Sequence, residues 1–184
     1  GQESLDSLTT GDSNTGCGRS TGAGVTTGGQ NTFVGYLAGA AVNTGSGNVA
    51  IGEQAMEVQT GVSQNVAIGQ MALEANSTGA YNVGIGGECF RSNTTAGGNC
   101  AVGYAAGTAN TTGDSNAFFG YNAGVANTTA SSNAFFGNRA GDACTTGSSN
   151  TCVGQSADVS SSGASNQIVL GQGVTGNADS SFCF

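Results

Sequence analysis

Residues 48–64 read Asn-Val-Ala-Ile-Gly-Glu-Gln-Ala-Met-Glu-Val-Gln-Thr-Gly-Val-Ser-Gln, and residues 65–69 begin the pattern again with Asn-Val-Ala-Ile-Gly. Similar stretches recur at intervals of 17 residues toward both ends of the chain. The asparagine that opens a repeat recurs nine times, at Asn14, Asn31, Asn48, Asn65, Asn82, Asn99, Asn116, Asn133 and Asn150. So strict a period predicts one small unit stacked repeatedly on itself.

We count positions within a repeat from this asparagine, which is position 0, to position 16. Position 4 is glycine in every repeat, and Gly171 continues the glycine series at the same interval. The constancy of this glycine indicates either a positive φ or close contact between the backbones of neighbouring repeats. The asparagine period holds until one residue is lost between Asn150 and Asn166.

Positions 1 to 3 have the pattern of a short strand. Position 3 is apolar in every repeat, as in Ile51, Ile68 and Phe136, and position 1 is small or β-branched. Because alternate residues of a strand share a face, position 3 is predicted to point inward and position 2 outward. Position 7 is almost always alanine and is predicted to be the inward residue of a second strand.

These features predict an all-β fold, a parallel β-solenoid (β-roll) of about ten coils of 17 residues. Gly, Asn, Asp and Ser form turns in the rest of each repeat, and glycine interrupts every window that a helix would need. Residues 1–8 are predicted to be an N-terminal lead-in and residues 9–184 a single solenoid. The last residues, Ser-Phe-Cys-Phe, end within the pattern, which predicts that the solenoid continues beyond residue 184.

The row of asparagines at position 0 has two structural interpretations. Identical amides one coil apart can hydrogen-bond along the axis, as in the stacked asparagine ladders of cross-β structures. Alternatively, each side chain satisfies backbone groups of its own turn. Both interpretations make these asparagines structural residues and not catalytic ones.

The composition excludes several classes of function. The net charge is −8, and the only cationic side chains are Arg19, Arg91 and Arg139. The chain therefore cannot build the basic face that nucleic acids or anionic membranes require, and its apolar runs are too short for insertion into a bilayer. There is no histidine, and the carboxylates are scattered over different repeat positions. We therefore predict no enzymatic activity, no metal site and no cofactor.

The six cysteines leave two interpretations open. No pair has the spacing of a metal site. Cys89 and Cys100 bracket one turn, and Cys144 and Cys152 bracket another, so Cys89–Cys100 and Cys144–Cys152 are candidate disulfides of a protein from an oxidising compartment. The alternative is that they are free thiols, buried as small apolar side chains.

The turn after position 10 contains two further patterns. Position 11 opens four sequences of the form Asn-x-Ser/Thr, which are acceptor sites for N-linked glycosylation in a eukaryotic secretory pathway, at Asn76, Asn93, Asn110 and Asn127. The alternative is that this segment serves only as a turn. Threonines at positions 12 and 13 form rows that resemble those of ice-binding solenoids, although adjacent threonines in a turn leave only one outward hydroxyl per coil.

Position 2 carries phenylalanine in three repeats, at Phe33, Phe118 and Phe135, where others carry a small residue such as Ala50. Because position 2 is predicted to face outward, these rings would form an exposed apolar stripe, which is typical of an interaction surface. We therefore predict that they lie in a contact between chains, either a trimer seam or a lateral filament contact.

Two kinds of known repeat resemble this sequence. Asn48-Val-Ala-Ile-Gly52 and Asn65-Val-Ala-Ile-Gly69 resemble the head repeats of trimeric autotransporter adhesins, which form a left-handed parallel β-roll and assemble as trimers. Asn31-Thr-Phe-Val-Gly-Tyr-Leu-Ala-Gly39 and Asn116-Ala-Phe-Phe-Gly-Tyr-Asn-Ala-Gly124 resemble repeats of bacteriophage tail fibres, those of cyanophages especially. The resemblance covers about residues 9 to 184 and implies a left-handed solenoid that associates with itself as a homotrimer or filament.

We therefore expect a structural fibre protein without enzymatic activity. It would be the shaft of a viral tail fibre or another extracellular appendage, located outside the cell or on the virion surface and used in surface attachment. The alternatives are an adhesin module that binds a cell-surface glycan or receptor, and an ice-binding solenoid.

Overall fold

The computed structural model describes residues 1–184 and contains eleven short β-strands and no helix. The strands are β1 (Thr15–Cys17), β2 (Thr32–Val34), β3 (Val49–Ile51), β4 (Val66–Ile68), β5 (Val83–Ile85), β6 (Cys100–Val102), β7 (Ala117–Phe119), β8 (Ala134–Phe136), β9 (Thr151–Val153), β10 (Ile168–Leu170) and β11 (Phe182–Cys183). They form one sheet in sequence order, and every neighbouring pair is parallel. The prediction of an all-β parallel solenoid is therefore confirmed.

The repeat fixes the register, so equal positions of neighbouring coils lie beside one another. Val49 pairs with Val66, and Val66 pairs with Val83. Of 114 backbone hydrogen bonds, 94 lie outside the strand ladders. Many of these also join adjacent coils, as in the bond of 2.9 Å from the Gly22 amide to the Ala38 carbonyl. Stacking therefore satisfies backbone groups around most of the circumference of each coil.

The second strand predicted around position 7 is not present. Positions 6 and 8, on either side of the alanine at position 7, adopt a left-handed backbone, with φ of 57° at Gln54 and 52° at Met56 in one coil. Two such residues flanking one alanine curve the chain more tightly than an extended strand allows. Position 7 nevertheless faces inward as predicted, because Ala55 and Ala72 have no exposed surface.

The side chains of the strands point in the direction opposite to the prediction. At position 2, Ala50 and Phe118 are 0% exposed, whereas at position 3 Ile51 is 36% and Phe136 40% exposed. The asparagine at position 0 is buried, and positions 0 and 2 of a strand share a face. The alternation was therefore predicted correctly, but its phase was wrong by one residue.

The glycine at position 4 is required for two reasons at once. Gly52 has a φ of 134°, a region that other residues rarely adopt. In addition, a Cβ atom added there would lie 2.6 Å from the carbonyl carbon of Gly69 in the next coil. Both explanations offered by the sequence therefore hold.

One large side chain, at either position 2 or position 8, fills the core of six coils, those that begin at Asn31, Asn48, Asn65, Asn82, Asn116 and Asn133. Phe118 at position 2 faces Gly124 at position 8, where an added Cβ would lie 2.8 Å from the phenyl ring. The opposite arrangement pairs a small residue at position 2 with a large one at position 8, as in Ala50 with Met56. The coil of Asn99 is small at both positions, and rings of the two neighbouring coils, Phe90 and Phe118, fill its space.

This arrangement corrects the interpretation of the position 2 phenylalanines. Phe33, Phe118 and Phe135 are 0% exposed and lie in the core of their own chain, so they cannot form the predicted contact between chains. Phe118 and Phe135 stack with ring centroids 5.2 Å apart. The physical reason is the phase of the strand, which brings position 2 to the same side as the buried asparagine.

The stacking of equal positions continues toward both ends of the chain. The Leu5 amide bonds to the Thr21 carbonyl just as the Gly22 amide bonds to that of Ala38, so residues 1–8 continue the solenoid and do not form a separate lead-in. Near the other end no residue is lost before residue 167. Gln167 occupies position 0, and its amide bonds to the Asn150 side chain. The shortening comes in the following coil, where Ile168 pairs with Phe182.

Exchanging the large and small core residues of one coil tests this packing. Phe118→Ala is expected to lower the free energy of unfolding by about 3–5 kcal/mol through a cavity, and Gly124→Met by about 1–3 kcal/mol through overpacking. The double variant recreates the Ala50 and Met56 pair. Its loss of unfolding free energy, measured by urea unfolding, should therefore be smaller than the sum of the two single losses by about 2 kcal/mol or more.

A matched control combines Phe118→Ala with Gly39→Met, which lies five coils away. The two effects should then add, because the residues share no neighbours. Additive losses in the Phe118 and Gly124 pair as well would contradict the proposed exchange.

Candidate functional surfaces

The chain presents long surfaces rather than an enclosed site. The only cavity is an open groove of about 390 Å³ near the N-terminal end, lined by polar residues that include Thr10, Asp12 and Gln30. No group of three or more His, Cys, Asp or Glu residues is placed to hold a metal ion. No helix is present that is long and apolar enough to cross a membrane.

The asparagines at position 0 form a continuous ladder in the core, in which each side chain bonds to the backbone of the next coil. The Asn48 amide donates to Oδ1 of Asn31 at 2.9 Å. Nδ2 of Asn31 donates to the carbonyl of Gly45 at 2.9 Å, and Nδ2 of Asn48 to that of Val62 at 2.8 Å. The amide bonds to Oδ1 recur at 2.8–3.0 Å from Asn31 through Asn150.

The ladder therefore combines the two interpretations of the sequence. The amide groups stack along the axis as predicted, but direct bonds between two side-chain amides occur at only four steps and are longer, 3.1–3.5 Å. The shorter bonds join the side chain to backbone groups. These groups belong to the turn that leads into the next coil and not to the turn that precedes the asparagine itself. Each side chain thus satisfies one N–H and one carbonyl that would otherwise be buried without a partner.

A second polar ladder lies at position 11 and was not predicted. Asn76, Asn93, Asn110 and Asn127 are each 0% exposed. Nδ2 of Asn93 donates to Oδ1 of Asn76 at 3.0 Å, and Nδ2 of Asn110 donates to Oδ1 of Asn93 at 3.1 Å. The Asn76 side chain also closes its own turn by bonding to the amide and carbonyl of Gly79.

Burial of this second ladder overturns the predicted row of glycans. A glycan is attached to the side-chain nitrogen of the asparagine, and in all four residues that atom lies inside the solenoid. The Asn-x-Ser/Thr pattern therefore arises from turn and core chemistry, the alternative that the sequence left open. The threonine that completes the pattern lies at position 13 of the same turn.

The second ladder has unpaired polar atoms at both of its ends. Gln59, which precedes Asn76 in the position 11 column, is fully buried and has no partner for either amide atom. At the other end both amide atoms of Asn127 and Oδ1 of Asn110 are unpaired. Beyond these ends the column continues with Val42 on one side and Cys144 on the other, so the polar segment is bounded by apolar residues.

Substitutions in this column should therefore have opposite effects. Gln59→Val is expected to raise the free energy of unfolding by about 1–3 kcal/mol, because it removes two buried unpaired atoms and introduces the residue found at Val42. Asn93→Val should lower it by about 1–3 kcal/mol, because it removes three hydrogen bonds: those from Nδ2 of Asn93 to the Ala96 carbonyl and to Oδ1 of Asn76, and that from Nδ2 of Asn110 to Oδ1 of Asn93. Urea unfolding curves measure both, and a loss of stability in both variants would contradict this description.

All six cysteines are free thiols, so neither candidate disulfide is present. Cys89 lies in the core, whereas Cys100 is at position 1 on the outer side of its strand, which separates the first pair. Cys144 and Cys152 are both buried in the core. Burial raises the pKa of Cys89 and Cys152 to about 12 and that of Cys144 to about 11. These three thiols are therefore protonated at neutral pH and behave as small apolar side chains, the alternative that the sequence left open.

The outer side of the sheet is a continuous and mostly apolar surface. It is formed by positions 1 and 3 of ten successive strands, β1 to β10, and none of these residues is charged or fully buried. We call it the outer sheet face. Its exposed residues include Ile51, Ile85 and Phe136, and the rings of Phe119 and Phe136 stack with centroids 5.0 Å apart.

Tyrosines border the outer sheet face on both sides. At position 5, Tyr36, Tyr104 and Tyr121 are 44–51% exposed, and the rings of Tyr104 and Tyr121 stack with centroids 5.9 Å apart. On the opposite side, Tyr81 at position 16 is 67% exposed and has a left-handed backbone with φ of 61°. Rings with exposed hydroxyls at the edge of an apolar strip are typical of protein interfaces.

The threonine rows lie on another side of the rod. At position 12 the hydroxyls donate to the backbone carbonyl of the next coil, as in the bonds of 3.0 Å from Thr94 to Thr111 and from Thr111 to Thr128. At position 13 the threonines, such as Thr95 and Thr112, are exposed. In the five coils from Asn65 through Asn133 the structure thus presents one exposed threonine per coil in this turn, which is the geometry that the sequence predicts for adjacent threonines.

The sequence located these surfaces only in part. It identified the asparagine rows, the cysteines and the position 2 phenylalanines as notable, but it placed the phenylalanines outside and the apolar residues of position 3 inside. The tyrosines at position 5 were the signal in the sequence that could have located the outer sheet face, because large aromatic residues next to a strand are unusual on a fully solvated surface. The chain matches no protein-family model, no curated protein and no solved structure.

Proposed function

We propose that this protein is a structural solenoid that associates with copies of itself through the outer sheet face. The observation that carries the proposal is the outer sheet face itself, an uncharged apolar strip that runs through ten strands of a chain whose net charge is −8. Charged residues occur on the other sides of the rod, as in the ion pairs Arg91–Glu74 and Arg139–Asp142. Exclusion of charge from one continuous strip is the pattern expected at the centre of an interface.

The dimensions of the strip suit a lateral contact. Strands spaced by about 4.8 Å make ten coils roughly 48 Å long. A strip about 10 Å wide then covers roughly 500 Å², which is at the upper end of the apolar patches found on monomers. The bordering tyrosines widen the contact toward the approximately 800 Å² per partner of a standard interface.

The residue sizes on the strip favour a partner that packs against it. Where position 3 is phenylalanine, at Phe119 and Phe136, position 1 is alanine, at Ala117 and Ala134. Where position 3 is isoleucine, position 1 is valine. In these five strands the compensation keeps the combined volume of positions 1 and 3 similar, as close packing against a partner would require. A second copy with its coils at the same level would place each large residue against a small one.

The biological setting that we propose is the shaft of a viral tail fibre or another extracellular appendage. A rigid rod built from repeated coils, without an enclosed cavity, suits a mechanical role better than a catalytic one. The resemblance of the repeats to those of phage tail fibres and autotransporter heads supports this setting, as does the formation of a parallel solenoid.

Recognition of a cell-surface glycan or receptor is the second candidate function. The exposed tyrosines at position 5 favour it, because they recur along one edge of the rod and carry hydroxyl groups that can bond to a polar ligand. The proposal of ice binding rests on the single exposed threonine row at position 13, and thermal hysteresis is the measurement that would detect it.

The double variant Phe119→Ser, Phe136→Ser tests the proposed contact. Each ring that is buried between chains should contribute about 1.5–3 kcal/mol to association, so the variant is expected to associate at least tenfold more weakly in analytical ultracentrifugation. Its β-sheet circular dichroism should be unchanged, because both rings lie outside the core.

The matched control is Phe118→Ser, the adjacent residue on the same strand. Because Phe118 lies in the core, this variant should lose folding stability, measured by thermal unfolding. An unmodified chain that sediments as a monomer at high concentration would refute self-association through this face. Retained sugar binding by such a monomer would then support the second candidate.

A further inference from the structure

The three tyrosines at position 5 differ in what covers their rings. Tyr36 lies under the Arg19 guanidinium of the preceding coil, whose Cζ is 5.9 Å from the ring centroid. Tyr121 lies under the ring of Tyr104, also in the preceding coil, with the two centroids 5.9 Å apart. Tyr104 itself is preceded at position 5 by Gly87, which has no side chain. The chain therefore leaves one face of the Tyr104 ring uncovered, and 49% of the residue is exposed.

The space over this face, which we call the Tyr104 gap, is wide enough for one planar group. Beyond Gly87, the next side chain in the position 5 column is that of Gln70, two coils from Tyr104 and so about 9.6 Å away at a coil spacing of about 4.8 Å. Nε2 of Gln70 donates to Oε2 of Glu53 at 3.0 Å, which holds this side chain toward the coil on its other side. Since atoms in van der Waals contact are about 3.5–4.0 Å apart, one planar group fits between Gln70 and Tyr104.

The glycine that creates the Tyr104 gap is not required by the backbone. The φ of Gly87 lies outside the left-handed region, unlike that of Gly86, which is 133°. A Cβ atom added at Gly87 would lie 3.3 Å from Cδ2 of Tyr104, a contact that a small shift of the exposed ring relieves. Position 5 of the two neighbouring coils carries long side chains, those of Gln70 and Tyr104. The gap is therefore a property of this one coil and not a consequence of the fold.

A carboxylate borders the Tyr104 gap. The Tyr104 hydroxyl donates to Oε1 of Glu88 at 2.8 Å, which holds the ring beside the carboxylate and leaves Oε2 available as an acceptor. Positions 5 to 9 of the coils that begin at Asn48, Asn65 and Asn82 carry four glutamates and one arginine, an excess of three negative charges: Glu53, Glu57, Glu74, Glu88 and Arg91. An exposed aromatic face on a surface of this charge attracts a cation.

We propose that the Tyr104 gap binds the guanidinium group of an arginine side chain that belongs to a different protein. The group stacks on the Tyr104 ring, in the place that the Arg19 guanidinium takes over Tyr36, and donates to Oε2 of Glu88. A guanidinium makes both contacts at once because it is planar and carries five donors, whereas the lysine ammonium is a compact point charge.

The arginines of this chain are already paired within their own copy. Arg91 and Arg139 form ion pairs with carboxylates, and Arg19 lies over an aromatic ring. We therefore assign the occupant to a different protein and not to a second copy. The Tyr104 gap is formed by positions 5 and 6 of its coils, whereas the outer sheet face is formed by positions 1 and 3. Binding of an arginine is therefore separate from the proposed self-association.

Nuclear magnetic resonance of the whole chain, with isotope-labelled tyrosine rings, tests the Tyr104 gap. N-acetyl-arginine amide should shift the Tyr104 ring signals to saturation, with a dissociation constant of about 1–10 mM, the range for one stacking contact and one charge-assisted hydrogen bond. N-acetyl-lysine amide should bind at least about threefold more weakly. Methyl glucoside should leave the Tyr104 signals unchanged, and no probe should move those of Tyr81.

Three variants separate this site from general attraction of cations to an acidic chain. Gly87→Arg supplies a guanidinium over Tyr104, as Arg19 does over Tyr36, and should abolish the response to the arginine amide. Glu88→Gln should weaken binding at least about fivefold, which keeps the site testable if Gly87→Arg fails to fold. Asp12→Asn removes an equal charge from an exposed residue near the N-terminal end and should bind like the unmodified chain.

Three results would overturn the assignment of the Tyr104 gap to an arginine. The first is the absence of a saturable shift of the Tyr104 signals in the unmodified chain. The second is unchanged binding in Glu88→Gln or in a folded Gly87→Arg variant. The third is a stronger response to methyl glucoside than to the arginine amide, which would assign the gap to saccharides instead.

Discussion

One buried amide per coil, that of the asparagine at position 0, holds this solenoid together. Its oxygen accepts the amide of the next asparagine, and its nitrogen donates to a carbonyl three residues before that asparagine. Asparagine is suited to this place because it carries one acceptor and two donors on a short side chain, whereas aspartate lacks the donors. Since the asparagine must point inward, position 2 of the strand points inward as well, and position 3 points to the outside.

The phase set by the asparagine also explains the core. The space between the strand and the opposite turn accepts one large side chain per coil, either Phe118 at position 2 or Met56 at position 8. The remaining large apolar residues of the strands, such as Ile51 and Phe136, are left on the outer sheet face. The narrow interior leaves no room for these side chains, and the self-association that we propose would remove the apolar outer sheet face from water.

The sequence predicted the period, the parallel sheet, the absence of helix and the ladder of asparagines, because each depends on the repeat alone. It did not predict which side of a three-residue strand faces inward. Hydrophobicity favoured position 3, with Ile51 and Phe119, over position 2, with Ala50 and Phe118, and that preference is misleading when both sides are apolar. The exchange of size between positions 2 and 8, visible in Phe33 with Gly39 and in Ala50 with Met56, was the signal that could have set the phase. The prediction of glycosylation sites at Asn76 and Asn93 was wrong for a related reason, because the repeated asparagine at position 11 is buried in the core.

A cryo-electron microscopy map of the assembled protein, at a resolution that shows side chains, would show which side of each strand is enclosed within a chain and which side is enclosed between chains. We expect parallel rods in which Phe118 and the position 0 asparagines are enclosed within one chain, while Phe119, Phe136 and Ile85 are enclosed between chains. A map that shows isolated rods with the outer sheet face in solvent, or chains joined through another side of the rod, would contradict this expectation.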